Sequence, residues 1–317
     1  MIPFQRRIAV ALAAALVMTG CEVAEDSTAD PSTPEATSER TLFRYNREYI
    51  FVGPREGDPI VVPFTFRSSE RNGSLNRSAQ GWLARGGTWD RFLDAQNRTS
   101  TAGGVWRVVP HEGLRVSVGG PAEVESFHFE RGERRLRLEL DQPITGWSQG
   151  AETRFRLIDG WLSVGAEVVP GPVLEMLRVE RTLDDGWPPG QDFDLLFVTS
   201  GDSIQLVLAE TVEGEGPEAQ YAWTRFPETE RMWSEAEVRW LEMRPYEEAR
   251  RDIPHVWSFR IPTARIHGEL EAAGFGAVLG PERGGQRAVE IRYTVHGWVD
   301  IQGDRRDVSG MILHTQQ

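Results

Sequence analysis

The chain has a single cysteine, Cys21, among its 317 residues. One thiol excludes an internal disulfide, a zinc–thiolate cluster and any paired redox chemistry. Basic character is also scarce: 35 Lys and Arg stand against 48 Asp and Glu, for a net charge of −13. Such a balance argues against nucleic acid, whose phosphates call for cationic patches. It argues equally against docking on anionic headgroups through a basic face. After the first twenty residues there is no long apolar run, and nowhere a sustained helical period with caps. The best helical candidate is one turn at Glu247 to Arg251. There is no G-x-S-x-G elbow, no phosphate-cradling glycine loop opening a helix and no H-E-x-x-H. The six histidines (His111, His128, His255, His267, His296 and His314) show no close ligand spacing, so neither a metal nor a cofactor is expected.

What is present begins at the N-terminus. Arg6 and Arg7 precede an apolar stretch from Ile8 to Val17, followed by Met18-Thr19-Gly20-Cys21. A charged start, a short apolar segment and small residues at a junction describe a secretory signal. The segment is shorter than the roughly 20 residues a membrane span needs. With cysteine at the junction it resembles the bacterial lipobox, which implies acylation of Cys21 and removal of residues 1–20. Met18 is a less usual residue three places before the cysteine. The expectation is a lipoprotein of the bacterial cell envelope, on the inner or outer membrane, its body in the periplasm or at the surface. Losing Arg6 and Arg7 takes the net charge from −13 to −15. Residues 21–40 are rich in Ser, Thr, Pro, Ala, Asp and Glu, without an aromatic residue, and read as a flexible tether.

Beyond residue 40 the recurring signal is alternation with period two, the strand pattern. Leu136, Leu138 and Leu140 alternate with Arg135, Arg137 and Glu139. Ile291, Tyr293, Val295, Gly297, Val299 and Ile301 alternate with Arg292, Thr294, His296, Trp298 and Asp300. Gly284-Gly285 and Gln302-Gly303-Asp304 supply turns between such runs. One buried and one wetter face per strand predicts antiparallel sheets, and an all-β protein. The polar, Pro/Gly-rich stretch 183–192 divides the body into residues 41–182 and 193–317. Each half has the size of an eight-stranded barrel with one ligand cavity.

The second half carries Pro254-His255-Val256-Trp257-Ser258-Phe259-Arg260-Ile261-Pro262. It later carries Tyr293-Thr294-Val295-His296-Gly297-Trp298-Val299-Asp300-Ile301-Gln302-Gly303. The patterns P-x-x-W-x-x-x-I-P and Y-x-x-x-G-x-V-x-x-x-G resemble the carotenoid hydratase / AttH family. That resemblance implies two tandem antiparallel lipocalin-like β-barrels, and an apolar small molecule, lipid or isoprenoid, as ligand or substrate. The family's closing strands commonly carry two glutamates where this chain has Val295-His296 and Leu313-His314. The departure leaves the fold better supported than the family's reaction.

Eleven tryptophans are available for a cavity wall, since indole brings large apolar area with one donor. Trp223, Trp240, Trp257, Tyr293 and Trp298 are the candidate ligand-binding residues, and Trp82 and Trp89, flanking Gly86-Gly87, form a candidate lid. Hydration of an alkene needs a carboxyl kept protonated by burial. Asp252 or Glu242 would serve if turned into the barrel; otherwise they are solvated charges paired with Arg244, Arg250 and Arg251. Three readings follow: a carrier of an apolar ligand, a hydratase-type enzyme on an isoprenoid or polyene, and a structural lipoprotein with filled barrels.

Overall fold

The computed structural model describes residues 42–53, 59–71, 74–100, 113–120, 123–149, 153–182, 193–201, 204–211, 221–226 and 229–317. Cys21, the tether and the 183–192 stretch lie outside them. Among the described residues eighteen strands follow one another. The first nine are β1 (Leu42–Gly53), β2 (Ile60–Arg71), β3 (Ser74–Arg85), β4 (Thr88–Ser100), β5 (Leu114–Val118), β6 (Val124–Arg131), β7 (Arg134–Gln149), β8 (Thr153–Val164) and β9 (Glu167–Thr182). The second nine are β10 (Phe193–Thr199), β11 (Gln205–Thr211), β12 (Tyr221–Phe226), β13 (Thr229–Trp233), β14 (Glu237–Tyr246), β15 (Arg251–Ile261), β16 (Ile266–Arg283), β17 (Gln286–Ile301) and β18 (Asp304–Gln316).

They make two nine-stranded antiparallel sheets, each a curled meander. The orders are β4-β3-β2-β1-β9-β8-β7-β6-β5 and β13-β12-β11-β10-β18-β17-β16-β15-β14. In each, the first strand pairs with the ninth, so the same topology occurs twice with an offset of nine strands. Each sheet has one strand more than the eight-stranded barrel its size suggests. The Glu247–Arg250 segment is a turn between β14 and β15, closed by Ala249 N–H to Tyr246 O and Arg250 N–H to Glu247 O. Gln302 and Gly303 both have positive φ, 56° and 98°. Two such residues match the twist of the hairpin they close between β17 and β18.

Both sheets belong to one compact unit, and its described residues form three apolar cores. One lies inside the first barrel, around Phe51, Phe64, Phe127 and Leu138. A second fills the inside of the other, around Leu196, Trp257, Leu270, Ile291 and Ile312. The third lies between the sheets and joins Ile50, Val52, Phe155 and Leu174 to Leu195, Phe197, Met311 and Leu313. Strands bordering two cores are buried on both faces: every residue from Phe193 to Thr199 is buried. The same holds for Ala288 to Val295 in β17, where alternation predicts one wet face. That face is covered by the first sheet.

Its polar residues are paired across the junction. Arg292 donates through Nη2 to Glu290 Oε1 at 2.6 Å and to Thr65 Oγ1 at 3.1 Å. Arg67 reaches Glu290 Oε2 at 2.5 Å. Burial acts to raise the Glu290 carboxyl, but Arg67 and Arg292 outweigh it and hold it at about 2. Glu48, buried beside them, is shifted upward by burial despite the same two arginines. The chain contains no lysine, and the planar, weakly hydrated guanidinium is the cation suited to such buried pairing.

Candidate functional site

Inside the second barrel, polar groups converge in apolar surroundings. Asp194 of β10 and His314 of β18 are direct cross-strand partners and both fully buried. His314 Nδ1 lies 2.7 Å from Asp194 Oδ1. The indole N–H of Trp240 donates to Asp194 Oδ2 at 2.6 Å. With both oxygens of a carboxylate accepting, Nδ1 is the nitrogen that donates to Asp194, and in a neutral imidazole Nε2 is then the nitrogen without a hydrogen. Among the described residues no side chain or backbone group meets Nε2, nor the Tyr293 hydroxyl, nor the Trp257 N–H. These rings are neighbours: Trp257 meets Tyr293 edge-on at 4.9 Å, and Tyr293 lies 6.5 Å from His314 between centroids. Burial pushes the Tyr293 phenol well above its ordinary range, and the Asp194 charge adds to the shift.

A fork in the sheet gives access. β15 pairs with β16 from Ile261↔Ile266 to Val256↔Glu271, and the ladder stops there. Beyond it β15 stays with β14 and β16 stays with β17. Pro254, which has no N–H to offer a ladder, sits on the parting strand. Bulges at Trp240–Met243 and Ala272–Gly274 mark the same region. His255 Nε2 lies 3.6 Å from Glu271 Oε1 at the apex. Between the parted strands lies a cleft of about 280 Å³, lined by Ile253, Pro254, Ala272, Phe275 and Tyr293 among others. A hollow of about 410 Å³ on the β5–β6 pair, lined by Leu114, Arg115, His128 and Glu130, is remote in sequence and sheet from these groups.

The sequence candidates divide between faces. Trp257, Tyr293 and the half-buried Trp240 line the interior of the second barrel. Trp223 faces the other way, into the core between sheets, stacked on Trp147 at 4.5 Å and 5°. Trp298 is on the outer side of β17, with the Arg305 guanidinium 3.9 Å from its ring centroid and His267 at its edge. Asp252 and Glu242 are exposed, Glu242 in an ion pair with Arg244 at 2.8 Å. In β15 the odd positions Ile253, Trp257 and Phe259 turn inward, so Asp252 turns out. Trp82 and Trp89 pack in the junction between sheets, against Gly276 of β16. No catalytic motif marks Asp194 or His314 in the sequence. Their signal was a polar residue inside an otherwise apolar run, Phe193-Asp194-Leu195-Leu196-Phe197-Val198 and Met311-Ile312-Leu313-His314. Of the two places where the resemblance implied a glutamate, His296 is exposed and His314 is in the interior.

Among the described residues no group of three His, Cys, Asp or Glu is arranged to hold a metal ion. No protein-family model matches the sequence, and no curated protein is similar to it. Solved structures are similar in fold. An AttH-like protein from Nitrosomonas europaea superposes with a TM-score of 0.54 at 11% identity, over 90% of this chain and 98% of that one. Kievitone hydratase from Nectria haematococca gives a TM-score of 0.54 at 12% identity, over 87% and 89%. The chain therefore has the tandem lipocalin-like fold that these two proteins share.

Proposed function

We propose that this protein binds an apolar small molecule, a lipid or isoprenoid, inside its second barrel, and that an acylated Cys21 holds it at a bacterial membrane. One observation carries the binding reading: the parting of β15 from β16 opens a cleft onto an aromatic interior at Tyr293. Apolar walls with a few convergent polar groups are the ordinary make-up of a ligand site. The anchor rests on the lipobox-like run ending at Cys21 and on the two-chain logic of stable lipid anchoring.

Native mass spectrometry of the full chain, extracted from its own host in mild detergent, tests the first part. A stoichiometric lipid or isoprenoid is expected. A clean apo mass, with Trp fluorescence unchanged across a lipid panel, leaves a structural lipoprotein instead. For the second part, Cys21→Ser is expected to move the protein out of the membrane fraction, and retention there rejects the anchor.

A second reading is hydratase-type chemistry on the same class of molecule, favoured by the Asp194–His314 pair. A histidine oriented by a carboxylate, its other nitrogen free in a dry interior, is a general acid–base arrangement. Kievitone hydratase shares the fold. The check is a mass gain of one water in a bound polyene or isoprenoid; binding without that gain rejects the reading.

A further inference from the structure

We propose that the ligand carries a hydroxyl group on its apolar body, and that His314, with Tyr293 and Trp257 beside it, is the group that selects it. This rests on the second barrel being the ligand site, and it adds the chemical class.

Each of the three residues is buried: His314 and Trp257 are 0% exposed and Tyr293 is 1% exposed. Each has a polar atom that no other group among the described residues meets: His314 Nε2, Tyr293 Oη and Trp257 Nε1. Unpaired indole N–H groups also occur at Trp82, Trp89 and Trp147. Those belong to the junction between the sheets, whereas these three sit on adjoining rings of one interior face. Buried polar atoms are ordinarily satisfied, so three together call for a shared partner.

The chemistry of the three atoms narrows that partner. Trp257 can only donate, and Tyr293 can donate or accept. In its neutral form His314 accepts at Nε2, since the Nδ1 hydrogen faces Asp194 Oδ1 at 2.7 Å. A hydroxyl fits this set: it donates to Nε2 and accepts from the phenol or the indole. An ether or ketone has no hydrogen for Nε2. A carboxylate would bring a second negative charge near Asp194, whose own charge already acts on Tyr293. An ammonium group has no lone pair to accept from the Trp257 N–H, which can only donate and would stay unmet. A site built around a hydroxyl discriminates strongly against the analogue lacking it, because its own polar groups are then left bare.

The test titrates the full chain in detergent with geranylgeraniol, its methyl ether and the corresponding hydrocarbon, following Trp fluorescence. The alcohol is expected to bind at least about tenfold more tightly than either analogue, the step that ~1.4 kcal/mol represents. Tyr293→Phe removes an oxygen with no partner among the described residues, so the fold tolerates it, and it should narrow the alcohol's advantage several-fold. The double variant Asp194→Leu/His314→Phe should abolish that advantage. Equal affinity for all three probes means that water fills the polar corner; it overturns the hydroxyl proposal and leaves the apolar-ligand reading standing. Full preference surviving in both variants overturns the assignment to these residues. Binding of none of the three rejects the ligand reading, and the proposal with it.

Discussion

Asp194 and His314 face each other across the β10–β18 ladder with 2.7 Å between Oδ1 and Nδ1, and solvent reaches neither. Removing one member of a buried, hydrogen-bonded pair strands the other, which costs about 3 kcal/mol or more. Asp194→Leu is therefore expected to lower unfolding free energy by that amount in urea titration. Asp194→Leu combined with His314→Phe should cost less than the sum of the two singles, because neither partner is then stranded. Simple additivity would mean that the pair is not coupled.

Stability should also fall on acidification through Glu290. Its folded-state value of about 2 lies below the ordinary 4.5, a shift equivalent to about 3 kcal/mol. A depressed carboxyl contributes stability that is complete above about 4.5 and is lost as pH falls towards 2. Glu290→Gln should flatten that acid limb, and a limb of unchanged depth in the variant rejects the assignment.

Glu48 has the opposite sign. Its carboxyl is raised by burial, so its charged form favours the unfolded chain at neutral pH and its protonation relieves that cost. Glu48→Gln is expected to be more stable than the parent at neutral pH, and the advantage should vanish once acid has protonated Glu48 in both states. Denaturant midpoints across pH check this, and a loss of stability at neutral pH would contradict it.

Gly274 lies where two backbones touch. A Cβ there would run into the carbonyl oxygen of Gly87, at the tip of the β3–β4 hairpin. Gly274→Ala must push the hairpin away from the β16 bulge, at about 1–3 kcal/mol. Since that bulge forms one wall of the cleft, ligand affinity should fall along with the melting temperature. A neutral effect on both would show that the contact is slack.

Trp223 and Trp257 should separate stability from binding. Trp223 stacks on Trp147 between the sheets, so Trp223→Phe should cost about 1–3 kcal/mol of stability and leave affinity for an apolar probe intact. Trp257→Phe should change that affinity as well. Urea titration and Trp-quenching isotherms on both variants read the difference, and a binding defect confined to Trp223→Phe would reverse the assignment of faces.

The strands were legible in the sequence because side-chain direction along a strand has period two. The alternation of Leu136, Leu138 and Leu140, and of Ile291 to Ile301, marked strands that the structure contains. The glycine turns at Gly284-Gly285 and Gln302-Gly303 were legible because positive φ is a local requirement. Among the candidate binding residues, Trp257 and Tyr293 also turn inward.

Local pattern determines which residues share a face; it does not say what covers that face. Arg292 and Thr294 read as the wet side of β17, and the first sheet buries them. Trp223 and Trp257 carry the same side chain, yet the opposed faces of their strands send one to the junction and the other to the interior. Asp194 and His314, 120 residues apart, meet because the sheet's first strand pairs with its last. The sequence by itself determined strands, turns and an apolar supply large enough for a core. The pairing of first strand with ninth that curls each sheet, the packing of one on the other and the polar set around His314 were decided by the tertiary structure, because each depends on contacts between residues remote in the chain.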